Sequence, residues 1–254
     1  MSETISSSKN DNFKRWTSLL DSRGSKKSAQ YLLSGSKTVP EQLPLNENQA
    51  GELILCENIH GRPEDLPART KVFFLSKPLF KELDIFGTQA PLLVGASPQI
   101  PAWDMRAPPQ GLEILCPIGD PLNLGALIRT CCGLGVHRIV LLAEAAHPFH
   151  PKCLRASSGT ALRAPLFNGP SLKELPAQLG SNSSFCYALD MNGKNLFEFE
   201  WPQNLFLIVG EEGPGLGHHP FDKLSIPLDQ SVESLNVVAA TSAALFSYFS
   251  FHKN

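Results

Sequence analysis

The sequence predicts an α/β protein in two parts, the second built on a largely parallel sheet covered by helices on both faces. Three observations carry this expectation. Short apolar runs bounded by turn residues recur along the chain, as buried strands do. In the second half these runs alternate with helical stretches, the pattern of a parallel sheet. Between the halves the prolines cluster at Pro91, Pro98, Pro101, Pro108 and Pro109, where they remove backbone donors and stiffen the path.

Taken in order, residues 1–12 are polar and serine-rich and predict a disordered tail. A short helix is expected from Phe13 to Leu20, and "SRGSKKSAQYLLSG" reads as a loop leading into a further short element. "GELILCEN" and "KVFFLSK" are expected to be buried strands. "SPQIPAWDMRAPPQ" reads as a linker, which divides the chain into a first domain over residues 13–107 and a second over 108–254. Beyond it "GLEILCPI", "HRIVLL", "SSFCYALD" and "LFLIVG" read as strands, "NLGALIRTCCGLG" as a helix, and "VVAATSAALFSYF" as a closing helix. In such sheets ligands bind at the carboxyl ends of the strands, so the loops there should hold the chemistry.

Composition narrows the function. With 42% hydrophobic and 18% charged residues the chain is globular, and its apolar stretches fall short of a membrane span. The first ten residues lack the apolar region of a secretory signal, so a cytoplasmic location is expected. A net charge of -2 argues against a strongly electrostatic nucleic-acid binder. A local basic patch exists in "FKRWTSLLDSRGSKK", five basic residues against one acid, and reads equally as an anion contact or a solvated helix end and loop. The six cysteines show no CxxC spacing and Cys131 adjoins Cys132, so reduced, mostly buried thiols and no metal site are expected.

Three loops after strands concentrate unusual residues. In "GDPLNLGALIRTCCGLGV", Asp120 and Pro121 suit a turn, and Asn123 can cap the helix or face a ligand. Gly125 lets another backbone come close, and Arg129 among small and apolar residues either seeks an anion or covers the helix with its stem. In "FLIVGEEGPGLG" a strand runs into four glycines and two carboxylates; this is a glycine-rich hairpin or a backbone approach to a ligand, and it lacks both the GK[ST] of a phosphate loop and the dinucleotide spacing. In "LSIPLDQSVESLN" a short strand leads through a loop to a helix starting near Asn236 or Val237, with Ser234 as a cap or a site residue. Ala239, Ala240, Ala243 and Ala244 then leave a smooth face for another helix or subunit.

Jointly these segments resemble the three signature motifs of the SpoU/TrmH family of RNA ribose 2′-O-methyltransferases, within the SPOUT superfamily. "NLGALIRTCCGLGV" is similar to the first, through Asn123, Gly125 and Arg129. "LIVGEEGPGL" is similar to the second, whose carboxylate falls on Glu212, and "IPLDQSVESLNVVAA" to the third, through Ser234, Leu235 and Asn236. "LRASSGTALRAPLF" resembles the segment between the first two, matching at Ser157 and Gly159. The likeness runs across residues 112–250 in order.

The resemblance implies a sheet whose C-terminal portion is threaded as a deep trefoil knot, and a homodimer of such units. It implies S-adenosylmethionine as cofactor, held by Leu189, Val209, Gly210, Glu211, Gly213, Gly215, Ile226, Pro227, Leu228, Ser234, Leu235 and Asn236. It assigns the catalytic part to Arg129, with Asn123 and Ser234 orienting ribose and phosphate and Glu212 positioning the network. Asn236 would fix the third loop and contact Arg129 of a partner subunit. More loosely, "SLLDSRGSKKSAQYLLSGSKTVPEQL", "KVFFLSKPLF" and "PLLVG" resemble the small α/β RNA-binding domain, similar to some ribosomal proteins, that many members carry, although "LLSGSKTV" lacks the acid usual there. The expected activity is methyl transfer to a ribose 2′-hydroxyl of ribosomal or transfer RNA, with no membrane and no metal. The alternatives are an inactive RNA-binding homologue of the same fold and a nucleotide-using enzyme on an ordinary doubly wound sheet.

Overall fold

The computed structural model describes residues 2–43, 51–210, 220–229 and 231–253. Two compact units emerge, one formed by residues up to Pro98 with His147–Leu162, the other by Gln99–Ala146 with Arg163–Asn254. The division falls ahead of residues 107 and 108, because the proline-rich stretch read as a linker is held against its own sheet. Trp103 is buried, its amide donates to the Asn168 carbonyl at 2.9 Å, and the Asn168 amide donates to the Pro101 carbonyl at 2.8 Å.

In the first unit the strands are β1 (Ser2–Ile5), β2 (Gln30–Ser34), β3 (Glu52–Cys56), β4 (Lys71–Leu75) and β5 (Leu92–Ala96). They form one mixed sheet in the order β1-β4-β3-β5-β2, in which β1, β4 and β3 run parallel and β5 is antiparallel to both β3 and β2. The disordered tail expected over residues 1–12 is thereby corrected. Ile5 pairs with Leu75 and is buried, and Asn10 caps α1 (Asp11–Ser18) by accepting the amides of Asn12 and Phe13. A polar tetrapeptide becomes a strand because a parallel neighbour satisfies its backbone, which local composition does not reveal.

On this sheet lie α1, α2 (Ser22–Ser28), α3 (Thr38–Gln42) and α4 (Lys77–Leu83). Phe13, Trp16 and Leu19 of the α1 region join Ile54, Leu75 and Leu92 in the core. The Trp16 indole donates to Glu52 at 2.7 Å, and Arg15 forks onto both oxygens of the same carboxylate at 2.7 and 2.9 Å. Arg15 is therefore committed to holding α1 on β3, which removes one of the five cations of the basic stretch from service on a ligand.

The second unit carries six parallel strands in the order β11-β9-β10-β6-β7-β8. From β6 (Leu112–Cys116) the chain enters α5 (Pro121–Leu134) and then β7 (Arg138–Leu141). It next leaves for the first unit, where α6 (Pro151–Ala156) packs on β2, and returns at β8 (Leu166–Asn168). There follow α7 (Leu175–Leu179), β9 (Cys186–Asn195), β10 (Leu205–Ile208), β11 (Asp222–Ser225) and α8 (Val237–Lys253). β6 and β10 are wholly buried, as central strands covered on both faces must be. The exception to their apolar character is Glu113, 0% exposed on β6, which pairs with Arg138 at 3.3 Å and accepts the Gln110 amide at 2.9 Å. Burial raises its carboxyl above the ordinary range. The six cysteines are free, and five are buried.

Candidate active site at the carboxyl edge of the parallel sheet

β6 and β10 are neighbours whose onward connections diverge. From β6 the chain proceeds through α5 to β7 on one side; after β10 the next strand is β11, beyond β9 on the other. A parallel sheet opens a crevice at such a point, outside the carboxyl ends of the strands. Asn123, Val209 and Gly210 all lie on the segments that leave this edge.

At the start of α5 the cap is Asp120, and Asn123 is not it. The Asp120 carboxylate accepts the amides of Leu122 at 3.0 Å and Asn123 at 2.8 Å, and Pro121 occupies the first helical turn without needing a donor. The reading of Asn123 as cap is corrected, for an aspartate three residues earlier already meets those amides. Leu124, Leu127, Ile128 and Cys131 bury one side of α5, while Arg129 is exposed. Asn123 and Arg129 are six residues apart, about 9 Å along the axis and about 120° around it, so they do not share a face.

At the start of α8 the cap is Asn236, and Ser234 is exposed in the loop before it. The Asn236 side-chain oxygen accepts the Val238 amide at 2.9 Å, and its Nδ2 donates to the Asn123 side-chain oxygen at 3.3 Å. One asparagine thus ends the third loop and ties it to the first. The resemblance had matched Asn236 to Arg129 of a partner; within the chain its bond goes to Asn123. α5 and α8 pack together, which holds the two asparagines in register.

The loop between β11 and α8 is shaped at Asp229, which accepts the Ser231 amide at 2.9 Å, while its carbonyl accepts the Val232 amide at 3.1 Å. Hydrogen bonding from Ser231 holds the Asp229 carboxyl below its ordinary value. Ile226 is half-buried and Pro227 exposed. Leu228, Val232 and Leu235 are 37%, 49% and 40% exposed, three large apolar side chains on one short polar loop. Val232 drew no attention in the sequence, where a lone valine between serine and glutamate has no periodicity to mark it.

On the neighbouring strands, Val209 and Leu189 are buried. A Cβ placed on Gly210, just past the end of β10, would lie 3.7 Å from the Leu189 carbonyl oxygen within β9, an ordinary van der Waals distance. Glu211, Glu212, Gly213 and Gly215 lie outside the described residues. Beneath this edge, burial pushes the Cys116 thiol up to about 12 and that of Cys131 higher than its ordinary value, so both remain protonated and supply no thiolate.

The segment 154–167, which resembles the family's stretch between the first two motifs, divides between the units. Arg155, Ser157 and Gly159 belong to the first unit and Leu166 and Phe167 to the second. Gly159 takes φ +76°, and a Cβ there would meet Thr38 Cγ2 at 2.9 Å, so its glycine serves the packing of this loop against α3.

Comparison with known proteins places these features. The profile of the SpoU rRNA methylase family matches residues 113–246, from the second residue of β6 into α8. The ribosomal RNA small subunit methyltransferase G 2 of Syntrophobacter fumaroxidans is 38% identical over 96% of the chain, and the chain spans 48% of that protein's length. The 23S rRNA (guanosine(2553)-2′-O)-methyltransferase RlmP of Bacillus subtilis is 30% identical over 96% of the chain and 97% of its own. Among solved structures, the SpoU methyltransferase AviRb from Streptomyces viridochromogenes, in complex with the cofactor AdoMet, superposes with a TM-score of 0.78 over 97% of the chain and 99% of its own. At 21% identity that likeness speaks for the fold. With the profile covering more than half the sequence and RlmP matching nearly end to end, the chain belongs to the SpoU rRNA methylase family.

Proposed function

We propose that this chain transfers a methyl group from S-adenosylmethionine to a ribose 2′-hydroxyl of ribosomal or transfer RNA. The observation that carries the proposal is the Asn236 to Asn123 hydrogen bond, which joins the first and third loops at the β6/β10 crevice. Two side-chain amides fixed at the mouth of such a crevice can orient a hydroxylated, anionic substrate. Relatives add support: RlmP is a guanosine 2′-O-methyltransferase of 23S rRNA, and AviRb was solved with AdoMet.

The described residues fit the cofactor. Gly210, without a side chain just past the end of β10, leaves room for a ligand to reach the backbone. The exposed Leu228 and Leu235 offer an apolar wall against which a planar ring loses water. In the proposal Ile226, Pro227 and Ser234 also hold the cofactor, as do Glu211, Gly213 and Gly215, while Glu212 positions the catalytic network. Bound there, the cofactor supplies an electrophilic methyl group on a sulfonium.

The chain's own part is positioning and charge. Arg129 brings a guanidinium, which binds the phosphate beside the target ribose and stabilises charge developing on the 2′-oxygen. Its displacement around α5 from Asn123 suits service to the site of a second copy. The proposed dimer uses α8, where Phe246 is 61% exposed, and the threading of the C-terminal portion as a trefoil knot belongs to the same proposal.

Titration calorimetry with S-adenosylmethionine tests the cofactor, and loss of alkaline cleavage at one nucleotide of total RNA, with and without the gene, tests the product. Saturable heat and a single gene-dependent block are expected. Absence of heat at high micromolar cofactor overturns the methyltransferase reading. Heat without a block favours a cofactor-binding homologue with another acceptor.

A further inference from the structure

A second concave site lies within the first unit and contains none of the residues assigned above to catalysis or to the cofactor. It is a cavity of about 540 Å³ lined by the end of β2, the start of α3, the loop before β5 and the end of α6, a volume suited to a nucleotide. Its lining contains Lys37, His60 and Arg155 together with the hydroxyl residues Ser34, Thr38 and Ser158, and among the described residues no carboxylate.

The donors are set by their surroundings. His60 Nδ1 accepts the Cys56 amide at 2.9 Å, so a neutral ring carries its proton on Nε2 and presents a donor there. Arg155 stacks on Phe86 at 4.5 Å, which fixes the guanidinium plane. Ser34 is only 9% exposed, and its buried hydroxyl has no hydrogen-bond partner, a cost that a native fold tolerates where a ligand or motion will meet it.

Backbone strain gathers at the same place. Gln89 and Ser158, with φ of 53° and 50°, are two of the four non-glycine residues in the left-handed region among the described residues. The Gln89 turn is held by Asp84, whose carboxylate accepts the Gln89 amide at 2.6 Å. Sparsely populated backbone at a polar cavity marks a built concavity.

We propose that this cavity binds a phosphodiester of the substrate RNA strand, with Lys37 and Arg155 supplying charge and His60 and the hydroxyls supplying directed donors. The inference rests on the reading that the substrate is RNA. A stacked arginine and an exposed lysine, with no carboxylate among the described lining residues, select an anion, and the oxygens of a phosphodiester accept several donors at once.

The test measures binding of the full chain to a fluorescein-labelled, 20-nucleotide single-stranded RNA of mixed sequence by anisotropy between 50 and 200 mM salt. Inorganic phosphate is titrated separately, and S-adenosylmethionine calorimetry serves as the control. Lys37 is exposed, so Lys37→Gln should fold as the parent does; Lys37→Arg tests rescue by charge. Expected are RNA binding about tenfold weaker for Lys37→Gln, a log K against log salt slope reduced by about 0.7 as for one phosphate on a single strand, recovery in Lys37→Arg, and unchanged cofactor heat. Unaltered RNA affinity and slope in Lys37→Gln, with cofactor binding intact, overturns this site and leaves the methyltransferase reading standing. Phosphate binding lost in the variant while RNA binding persists assigns the cavity to a free phosphate and overturns the RNA assignment. A parent chain that binds neither RNA nor cofactor overturns both.

Discussion

Replacing Asn236 separates its duty as a cap from its duty in the site. Its oxygen accepts the Val238 amide at the start of a 17-residue helix, and its nitrogen donates to Asn123. Losing an asparagine cap costs about 1 kcal/mol, and an exposed 3.3 Å amide bond contributes at the low end of the range, about 0.5 kcal/mol. Asn236→Ala forfeits both and should destabilise the chain by about 1.5 kcal/mol. Asn236→Asp keeps an oxygen for Val238 and adds a negative charge at a helix amino terminus, a favourable placement by about 0.3–1 kcal/mol, so its stability should stay within about 0.5 kcal/mol of the parent. It nonetheless lacks the donor to Asn123, and displacement of a positioning group can cost on the order of 100-fold in rate. Urea denaturation reads the first effect and single-turnover transfer of labelled methyl to an RNA substrate the second. An Asn236→Asp protein with full activity refutes the role of the Asn123 contact, and one as unstable as Asn236→Ala refutes the cap. A cycle adding Asn123→Ala should return a coupling of about 0.5 kcal/mol in stability.

Glu52→Ala should lower stability by about 2–3 kcal/mol in urea titrations, because it strands the Arg15 fork and the Trp16 indole on a partly buried carboxylate site; a change under about 0.5 kcal/mol would contradict that account. Gly159→Ala should cost about 1–3 kcal/mol through its left-handed φ and the Thr38 contact at 2.9 Å, and a neutral thermal shift would count against it. Burial, and then the nearby charges of Lys26 and His150, lower His147 to about 4 from 6.5. The folded state therefore favours the neutral ring, so its contribution is fully present above about pH 6.5 and is lost as pH falls through about 4. At about 1.36 kcal/mol per unit the full shift is about 3.4 kcal/mol, and solvent screening of a partly exposed ring reduces this to about 1–2; an NMR titration giving a pKa at or above 6.5 rejects it.

The parallel sheet was legible in the sequence where strands are buried on both faces. β10 announces itself as an unbroken apolar run and β6 as one interrupted at Glu113, each followed by turn residues, a pattern that needs no knowledge of neighbours. β1 and β8 were not read, since "SETI" and "LFN" become strands only by pairing with β4 and β7. The site was legible as residue types at the ends of strands: Asn123, Gly210 and Asn236 do lie on segments leaving one edge. What stayed hidden was which asparagine does what. Capping depends on where a helix starts, and an aspartate followed by proline at 120 and 121 displaced Asn123 from that task. The proline stretch misled for the same reason, because prolines stiffen a docked segment as well as a free one, and Trp103 decides between them only once its pocket exists.

The excursion of residues 147–162 bears on how this architecture can be inherited. The chain passes between the two units three times, after Pro98, after Ala146 and after Leu162. A cut after Pro98 or after Ala146 leaves α6 and its buried Cys153 and Leu154 severed from the β2 surface they cover, and a cut after Leu162 parts β7 from its neighbour β8. Gene fusion or exchange of the amino-terminal unit alone would therefore deliver a sheet unit carrying an apolar loop with no surface to cover it. Recombination can move the pair only as a pair, and variation in the amino-terminal sheet must be matched by variation within residues 147–162.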